Sequence, residues 1–261
     1  MGSPRQSALG QAKASARFSA PEWEARVQLA ALYRAMHQYG MTDLIYNHIT
    51  LRVPDEPEHI LINPFGLMYK EITASSLIKM HMSGEVLYRP DGEYGLNPAG
   101  YIIHTAIHRA RSDAHCVLHT HSRAGSAVSA MACGLLPLSQ HSHMFLGRIG
   151  YHDFSGPVVD PAQQAQLVGD LGSHDALMMR NHGLLVTGET VGSAFFNIYW
   201  LESACRIQVD ALRGGEPQMP DAPALETSRR VFAKHAGAAR GAREWAAVLR
   251  DLDRIDPSFR D

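Results

Sequence analysis

The chain has 261 residues, of which 24 are Lys or Arg and 26 are Asp or Glu, so its formal charge is −2. This balance excludes a generally basic surface for nucleic acids, and 45% hydrophobic with 19% charged residues excludes wholesale disorder. Three cysteines are too few for a disulfide scaffold, no apolar run reaches the roughly 20 residues that span a bilayer, and no signal peptide pattern is present. We therefore expect a soluble, cytoplasmic globular protein. Histidine, at 15 residues, is the one unusual count.

The first part of the chain predicts an arm, a helix and a pair of strands. Small, polar and basic residues over 1–18 predict a flexible amino-terminal arm. Ser19 is a suitable cap for a helix over residues 19–39. Alternating apolar and polar residues from His48 predict a half-buried strand, with residues 59–62 as its antiparallel partner.

The middle and end of the chain alternate between helical and strand patterns. Residues 85–96 predict a polar connection, and Asn97-Pro98 begins a helix that runs to about Ala110. The pattern then predicts three short strands and two helices, which cover residues 116–120, 122–132, 176–179, 184–187 and 189–212 in chain order. Because strands alternate with helices, we expect one α/β domain over residues 19–213, followed by a linker and helical appendage over 214–261.

Three histidines have the spacing of a metal site. His119 and His121 are two residues apart on a predicted strand, so both imidazoles share one face and can bind one metal ion. Satisfied or surface histidines are the alternative for so short a motif. His182, in the turn Arg180-Asn-His-Gly, can complete a three-histidine face with an open position. The alternative is that His182 caps the turn through a backbone hydrogen bond.

Three segments together resemble the class II aldolase/adducin family: NPAGYIIH from Asn97, CVLHTHS from Cys116 and RNHGL from Arg180. The resemblance spans residues 22–213 and favours the adducin head domain and its bacterial relatives. It implies a three-layer α/β/α sandwich around a mainly antiparallel central sheet. It also implies a tetramer with sites between subunits. The metal ligands that it implies are His119, His121 and His182.

The chain departs from the sugar-phosphate aldolases of this family at four positions. The resemblance places their glutamate general base at Gly100, which can neither bind a metal nor accept a proton. Their two phosphate-binding serines correspond to Pro98 and Ala99, and their phosphate-binding asparagine corresponds to His48. Because a dianionic phosphate needs several donors, a phosphorylated sugar is not the expected substrate. His48 remains a candidate for substrate binding.

Two further histidines are candidates for catalysis. His104 lies one helical turn after Gly100, where it can orient a ligand, bind substrate or transfer protons. The alternative is a histidine that only packs the helix. The resemblance places a tyrosine proton donor, supplied by a neighbouring subunit, at His141; an exposed loop histidine is the alternative there. We expect His108 to be structural.

The remaining candidates concern substrate binding. The segment Asn63-Pro-Phe-Gly resembles a substrate loop in which Gly66 permits close backbone approach, and an ordinary turn is the alternative. Arg123 follows the strand that carries the histidine pair, and its forked guanidinium can bind a substrate carboxylate. A solvated surface residue is the alternative for Arg123.

Together these features predict a metal-dependent lyase that cleaves a carbon–carbon bond, by retro-aldol reaction or decarboxylation, in a non-phosphorylated hydroxy- or oxo-acid. Zn²⁺ is the first choice of metal, and Mn²⁺, Fe²⁺ or Co²⁺ also suit three imidazoles. The alternatives are a non-haem iron oxygenase acting on an aromatic or 2-oxo acid and a non-catalytic, adducin-like binding or oligomerisation module. The expected partners are a small-molecule substrate and further copies of the chain, not nucleic acid or a membrane.

Overall fold

A computed structural model describes residues 17–92, 94–156, 161–233 and 239–261. The predicted amino-terminal arm therefore lies outside the described residues, except for its last two positions. In the described parts the strands are β1 (His48–Val53), β2 (Glu56–Ile62), β3 (Ile78–His81), β4 (Val86–Tyr88), β5 (Cys116–Thr120), β6 (Ile149–His152), β7 (Ala176–Met179) and β8 (Gly183–Gly188). The α-helices are α1 (Ala20–Gln38), α2 (Pro98–Ala110), α3 (Arg123–Ser129), α4 (Gln140–His143), α5 (Pro161–Leu171), α6 (Val191–Arg213), α7 (Ala222–Ala233) and α8 (Ala242–Ile255).

The described strands form one sheet in the order β4-β3-β2-β1-β5-β8-β7-β6. Neighbouring strands are antiparallel except for β6 and β7, which are parallel. Every residue of β5 is buried, because this strand lies in the middle of the sheet with helices on both faces. The predicted α/β fold with a mainly antiparallel sheet is confirmed.

Apolar side chains on the two faces of the sheet form separate cores. Leu118 and Val186 belong to the core that includes helices α1 and α6. Val117 and Leu185, the next residues along, pack with α2 and α5 on the other face. The alternation along each strand thus supplies both cores and produces three layers.

Some element boundaries differ from those predicted. β2 begins at Glu56, three residues before the predicted start. The predicted polar connection over 85–96 contains the short strand β4. β4 is an edge strand of only three residues, Val-Leu-Tyr, so it is too short to show the alternation of a half-buried strand. The helix predicted over 122–132 ends at Ser129.

The carboxy-terminal segment packs on the rest of the molecule. Trp245, Leu252 and Phe259 are buried in the same core as α1 and α6. The indole nitrogen of Trp245 donates a hydrogen bond to Gln28 on α1 at 2.6 Å. Among the described helices, none combines the length and apolar character that crossing a bilayer requires. The domain boundaries at 18 and 213 stay a prediction.

Gly183 allows β8 to approach β5 closely. A Cβ at this position would lie 2.2 Å from the carbonyl oxygen of Thr120. We expect Gly183→Ala to lower the free energy of unfolding by about 1–3 kcal/mol, because overpacking forces the backbones apart. Urea denaturation measures the change. The matched control is Gly169→Ala in α5, where a Cβ meets no atom within 4 Å.

Gly169→Ala is expected to raise the free energy of unfolding, since alanine is favoured over glycine inside a helix. A lower free energy of unfolding for Gly183→Ala together with a higher one for Gly169→Ala would support a steric requirement at Gly183. A Gly183→Ala protein as stable as the unsubstituted chain would contradict it.

Candidate metal centre

Three histidines converge at one end of the central strands. His119 is the fourth residue of β5, His121 follows the end of that strand, and His182 lies in the turn between β7 and β8. The Nε2 atom of His121 lies 2.9 Å from Nε2 of His119 and 2.9 Å from Nε2 of His182. Asn181 adopts a left-handed backbone with φ of 55° in this turn. The three predicted metal ligands are thus brought together from two parts of the chain.

Hydrogen bonds to the other ring nitrogens determine which tautomers are present. Nδ1 of His119 lies 2.9 Å from the carbonyl oxygen of Leu184, and Nδ1 of His121 lies 3.1 Å from a carboxylate oxygen of Asp43. Both oxygens accept, so both Nδ1 atoms donate, and the neutral form of each ring has its lone pair on Nε2. Two lone pairs 2.9 Å apart repel one another unless a cation lies between them. The donor set therefore fits one divalent metal ion, with Leu184 and Asp43 as orienting partners.

Burial keeps His119 and His182 in the ligand form. It is the main cause that lowers the pKa of His119 well below the usual value, and the neighbouring His182 adds to the effect. Burial and the nearby His121 lower the pKa of His182 to about 4. Because only a neutral imidazole binds a metal, these shifts favour binding at neutral pH.

The space beside Gly100 is occupied by His48. A Cβ at Gly100 would lie 2.6 Å from Cδ2 and 3.1 Å from Nε2 of His48. The imidazole of His48 also lies 5.3 Å from that of His119, between ring centroids. Because residue 100 has no side chain, the imidazole of His48 fits next to the cluster as a fourth histidine ring.

The two predicted catalytic histidines lie in different places. His104 is fully buried, and its Nε2 lies 2.8 Å from Nδ1 of His48. It reaches the cluster through His48. His141 is half-buried on α4, where its ring packs 4.7 Å from Trp200 of α6. In the described chain no hydrogen bond or ring contact joins His141 to the three histidines, so its proton-donor role stays a prediction.

The predicted substrate loop is packed against the protein. The carboxamide of Asn63 is buried, with its oxygen 2.8 Å from the hydroxyl of Tyr33. Gly66 has φ of 118°, which favours glycine, and a Cβ there would lie 2.7 Å from the ring of Tyr94. The close approach predicted at Gly66 is thus made by Tyr94 in this structure, and substrate binding at this loop stays a prediction.

Arg123 is exposed at the start of α3 and lines a cavity of about 580 Å³. Arg206 and Arg213 line the same cavity from α6, together with the acidic residues Glu202 and Asp210. This mixture of charges is compatible with a carboxylate ligand. The assignment of Arg123 to substrate binding stays a prediction.

Sequence analysis did not identify Asp43, Thr50 or the Leu184 carbonyl. Asp43 is 78 residues from the histidine that it contacts, and no local pattern connects the two. Thr50 was detectable, because it shares a strand face with His48 two residues before it. His108 shares a helix face with His104 four residues before it. These two spacings were the signal in the sequence for a second group of polar residues, which contains His48, Thr50, His104 and His108.

Comparison with known proteins identifies the family. Residues 27–209 match the Class II Aldolase and Adducin N-terminal domain. The chain belongs to the class II aldolase/adducin family. Class II aldolases generally use a divalent metal ion, and the three-histidine cluster of this member fits one.

Relatives within the class II aldolase/adducin family include both bacterial and animal proteins. The chain is 44% identical to an aldolase II superfamily protein from Pseudomonas syringae, whose crystal structure superposes with a TM-score of 0.90 over 94% of this chain and 98% of that one. It is 48% identical to alpha-adducin of Rattus norvegicus over 72% of this chain and 25% of the adducin. L-fuculose 1-phosphate aldolase from Glaciozyma antarctica has 26% identity and a TM-score of 0.82, over 92% and 93% of the two chains.

A buried histidine of α2 makes stability depend on pH. Burial lowers the pKa of His108 to about 3 from its ordinary 6.5. Between these values the unfolded chain binds a proton that the folded chain excludes, so stability present above pH 6.5 is lost as the pH falls. In metal-free protein, His108→Gln should reduce the pH slope of the unfolding free energy between pH 7 and 5 by up to about 1.4 kcal/mol per unit.

Urea denaturation at several pH values measures this slope. The matched control is the exposed His37, changed to Gln, which leaves the buried ring of His108 in place. Equal slopes in the His108→Gln protein and the unsubstituted chain would contradict the prediction.

Proposed function

We propose that this protein is a metal-dependent lyase that cleaves a carbon–carbon bond in a non-phosphorylated hydroxy- or oxo-acid, by retro-aldol reaction or decarboxylation. The observation that carries the proposal is the convergence of the three Nε2 atoms of His119, His121 and His182. Membership of the class II aldolase/adducin family supports lyase chemistry at such a centre. The comparison with L-fuculose 1-phosphate aldolase supports the same reaction class.

Zn²⁺ is the metal that we propose first, with Mn²⁺, Fe²⁺ and Co²⁺ as the other metals that suit three imidazoles. A bound divalent ion would act as a Lewis acid toward a substrate carbonyl or enolate oxygen. His119, His121 and His182 would hold it. The Leu184 carbonyl and the Asp43 carboxylate keep two of these rings in the ligand tautomer.

The residues around the cluster support an unphosphorylated substrate. Pro98 and Ala99 have no hydroxyl, and Gly100 has no carboxylate. In place of these groups the site has the imidazole of His48, which is neutral because burial lowers its pKa to about 3. A neutral imidazole does not neutralise a dianionic phosphate. Decarboxylation also depends less on a general base than an aldol reaction does, which suits a site without the glutamate.

We also propose that the site is completed between subunits of a homotetramer. Three large apolar side chains near the cluster are exposed: Leu44, Tyr46 and Phe154. Leu44 directly follows Asp43, and the ring of Phe154 lies 6.4 Å from that of His182. Burial of these side chains against a second copy would remove apolar surface from water. In that assembly His141 of a neighbouring copy is the proposed proton donor.

A non-catalytic binding or oligomerisation module is the second candidate. The identity of 48% with alpha-adducin over 72% of this chain favours it, as does the absence of a carboxylate at Gly100. The two candidates differ in whether metal loading is accompanied by turnover.

Metal analysis tests the proposed ligands. We expect the purified protein to contain about one divalent ion per chain and the double variant His119→Ala/His121→Ala to contain none, because one imidazole cannot hold the ion. Elemental analysis by mass spectrometry, with circular dichroism for folding, measures both proteins. The exposed His115, changed to Ala, is the matched control and should retain its metal. Stoichiometric metal in a folded double variant would contradict the assignment of these ligands.

A substrate screen tests the reaction class. The Zn²⁺-loaded protein, incubated with a panel of short hydroxy- and oxo-acids, should release a carbonyl product or CO₂ at equal rates in air and under argon. Turnover that requires Fe²⁺ and consumes O₂ would instead assign an oxygenase. Retained metal without turnover of any acid in the panel would count against the lyase. Turnover by the double histidine variant at the rate of the unsubstituted protein would also count against it.

A further inference from the structure

A second group of polar side chains forms a continuous buried chain between β1 and α2. Nδ1 of His48 lies 2.8 Å from Nε2 of His104, and Nδ1 of His104 lies 2.8 Å from the hydroxyl of Thr50. The same hydroxyl lies 2.8 Å from Nε2 of His108. Nδ1 of His108 in turn lies 2.8 Å from the carbonyl oxygen of Ala114. The four side chains of this histidine chain are all buried.

The Ala114 carbonyl determines the direction of every hydrogen bond in the histidine chain. Because a carbonyl only accepts, Nδ1 of His108 carries the proton and its neutral ring accepts at Nε2 from the hydroxyl of Thr50. This hydroxyl has one hydrogen, so it must accept from Nδ1 of His104. Nε2 of His104 is then an acceptor, and Nδ1 of His48 donates to it. Each ring in turn is the Nδ1–H tautomer.

The consequence is a free acceptor atom at the end of the histidine chain. With its proton on Nδ1, His48 carries a lone pair on Nε2, and the one hydrogen bond of this ring among the described residues is the one at Nδ1. His48 is the register partner of His119 on the neighbouring strand, so both side chains lie on one face of the sheet. Its ring is 5.3 Å from that of His119 and is 6% exposed.

Neutral rings are the form that this environment requires. His104 and His108 have no carboxylate among their hydrogen-bond partners. Burial is the main cause that lowers the pKa of both. A charge on either ring would be unpaired in the interior, which is costly. The hydrogen-bond directions derived for neutral imidazoles therefore apply to the folded chain.

We propose that Thr50, His104 and His108 are positioning residues that hold His48 as the Nδ1–H tautomer, so that its Nε2 accepts a hydrogen bond from the hydroxyl of a ligand at the three-histidine cluster. The ligand class is a small hydroxy acid. The ligand-binding part rests on the proposed function, because it needs a metal-loaded cluster. The tautomer is a property of the chain itself and does not depend on that function.

Imidazole ¹⁵N NMR tests the tautomer directly. In protein with ¹⁵N-labelled histidine rings, His48, His104 and His108 should each show a protonated Nδ1 and an unprotonated Nε2, with His→Gln variants providing the assignments. An Nε2–H tautomer of His48 in the unsubstituted protein would overturn the proposal. This measurement needs no substitution at Thr50, so it decides the question even if a Thr50 variant does not fold.

Substitution of Thr50 tests the transmission through the histidine chain. Thr50→Val removes the hydroxyl at nearly constant shape, and it should give a mixture of tautomers at His48. Thr50→Ser keeps the hydroxyl and should preserve the single tautomer. The matched control is Thr105→Val, because Thr105 is also buried but bonds only to the Ile102 carbonyl of its own helix. An unchanged His48 in folded Thr50→Val would contradict the positioning role.

Calorimetry with two probes tests the acceptor role of His48. Glycolate binding to the Zn²⁺-loaded protein should weaken in Thr50→Val in proportion to the lost Nδ1–H population of His48, about twofold for an even mixture of tautomers. Acetate, which has the carboxylate but no hydroxyl, should bind both proteins equally. Equal losses for both probes, or no preference of the unsubstituted protein for glycolate, would overturn the acceptor role. Failure to bind Zn²⁺ would overturn the proposed function and with it the ligand-binding part, while the NMR result decides the tautomer separately.

Discussion

The pairing of β5 with β8 controls both the position and the protonation of the histidine cluster. Thr120 is the register partner of Leu184, so the carbonyl of Leu184 reaches Nδ1 of His119. The same pairing brings the turn that carries His182 beside His121. Gly183 allows this approach because a Cβ there would lie 2.2 Å from the Thr120 carbonyl oxygen. A backbone contact between two buried strands thus determines where three ring nitrogens meet and places the lone pair of His119 on Nε2.

Burial has different consequences for the two histidine groups. In the cluster, the Nε2 lone pairs of His119 and His121 face one another when both rings are neutral, an arrangement that a cation stabilises. In the histidine chain, every imidazole lone pair except one is matched with a proton, and the chain begins at a backbone carbonyl. The unmatched lone pair belongs to His48, beside the cluster. The cluster and the histidine chain therefore meet at Nε2 of His48, where the hydroxyl of a bound ligand would donate the missing hydrogen bond.

Family membership narrows the chemistry less than the individual residues do. The same domain occurs in a sugar-phosphate aldolase and in alpha-adducin, with which this chain has 26% and 48% identity. Gly100 has no carboxylate, and the imidazole of His48 occupies the space where a side chain at residue 100 would lie. The three clustered histidines are all present. The proposed lyase therefore has its three metal ligands but no carboxylate at residue 100.

The sequence by itself determined the fold class, the main central elements and the three clustered histidines, because strand periodicity and the HxH spacing are local and the combined motifs are specific to one family. It left the edge strand β4 undetected, since a segment of three residues is too short to show the alternation of a half-buried strand. Only the tertiary structure decided the partners of those histidines. Asp43 and the Leu184 carbonyl orient the cluster from 78 and 65 residues away. The roles of His48 and His104 in the histidine chain likewise depend on the contact between β1 and α2. The direction of a hydrogen bond depends on both of its ends, and no local spacing in the sequence contains that information.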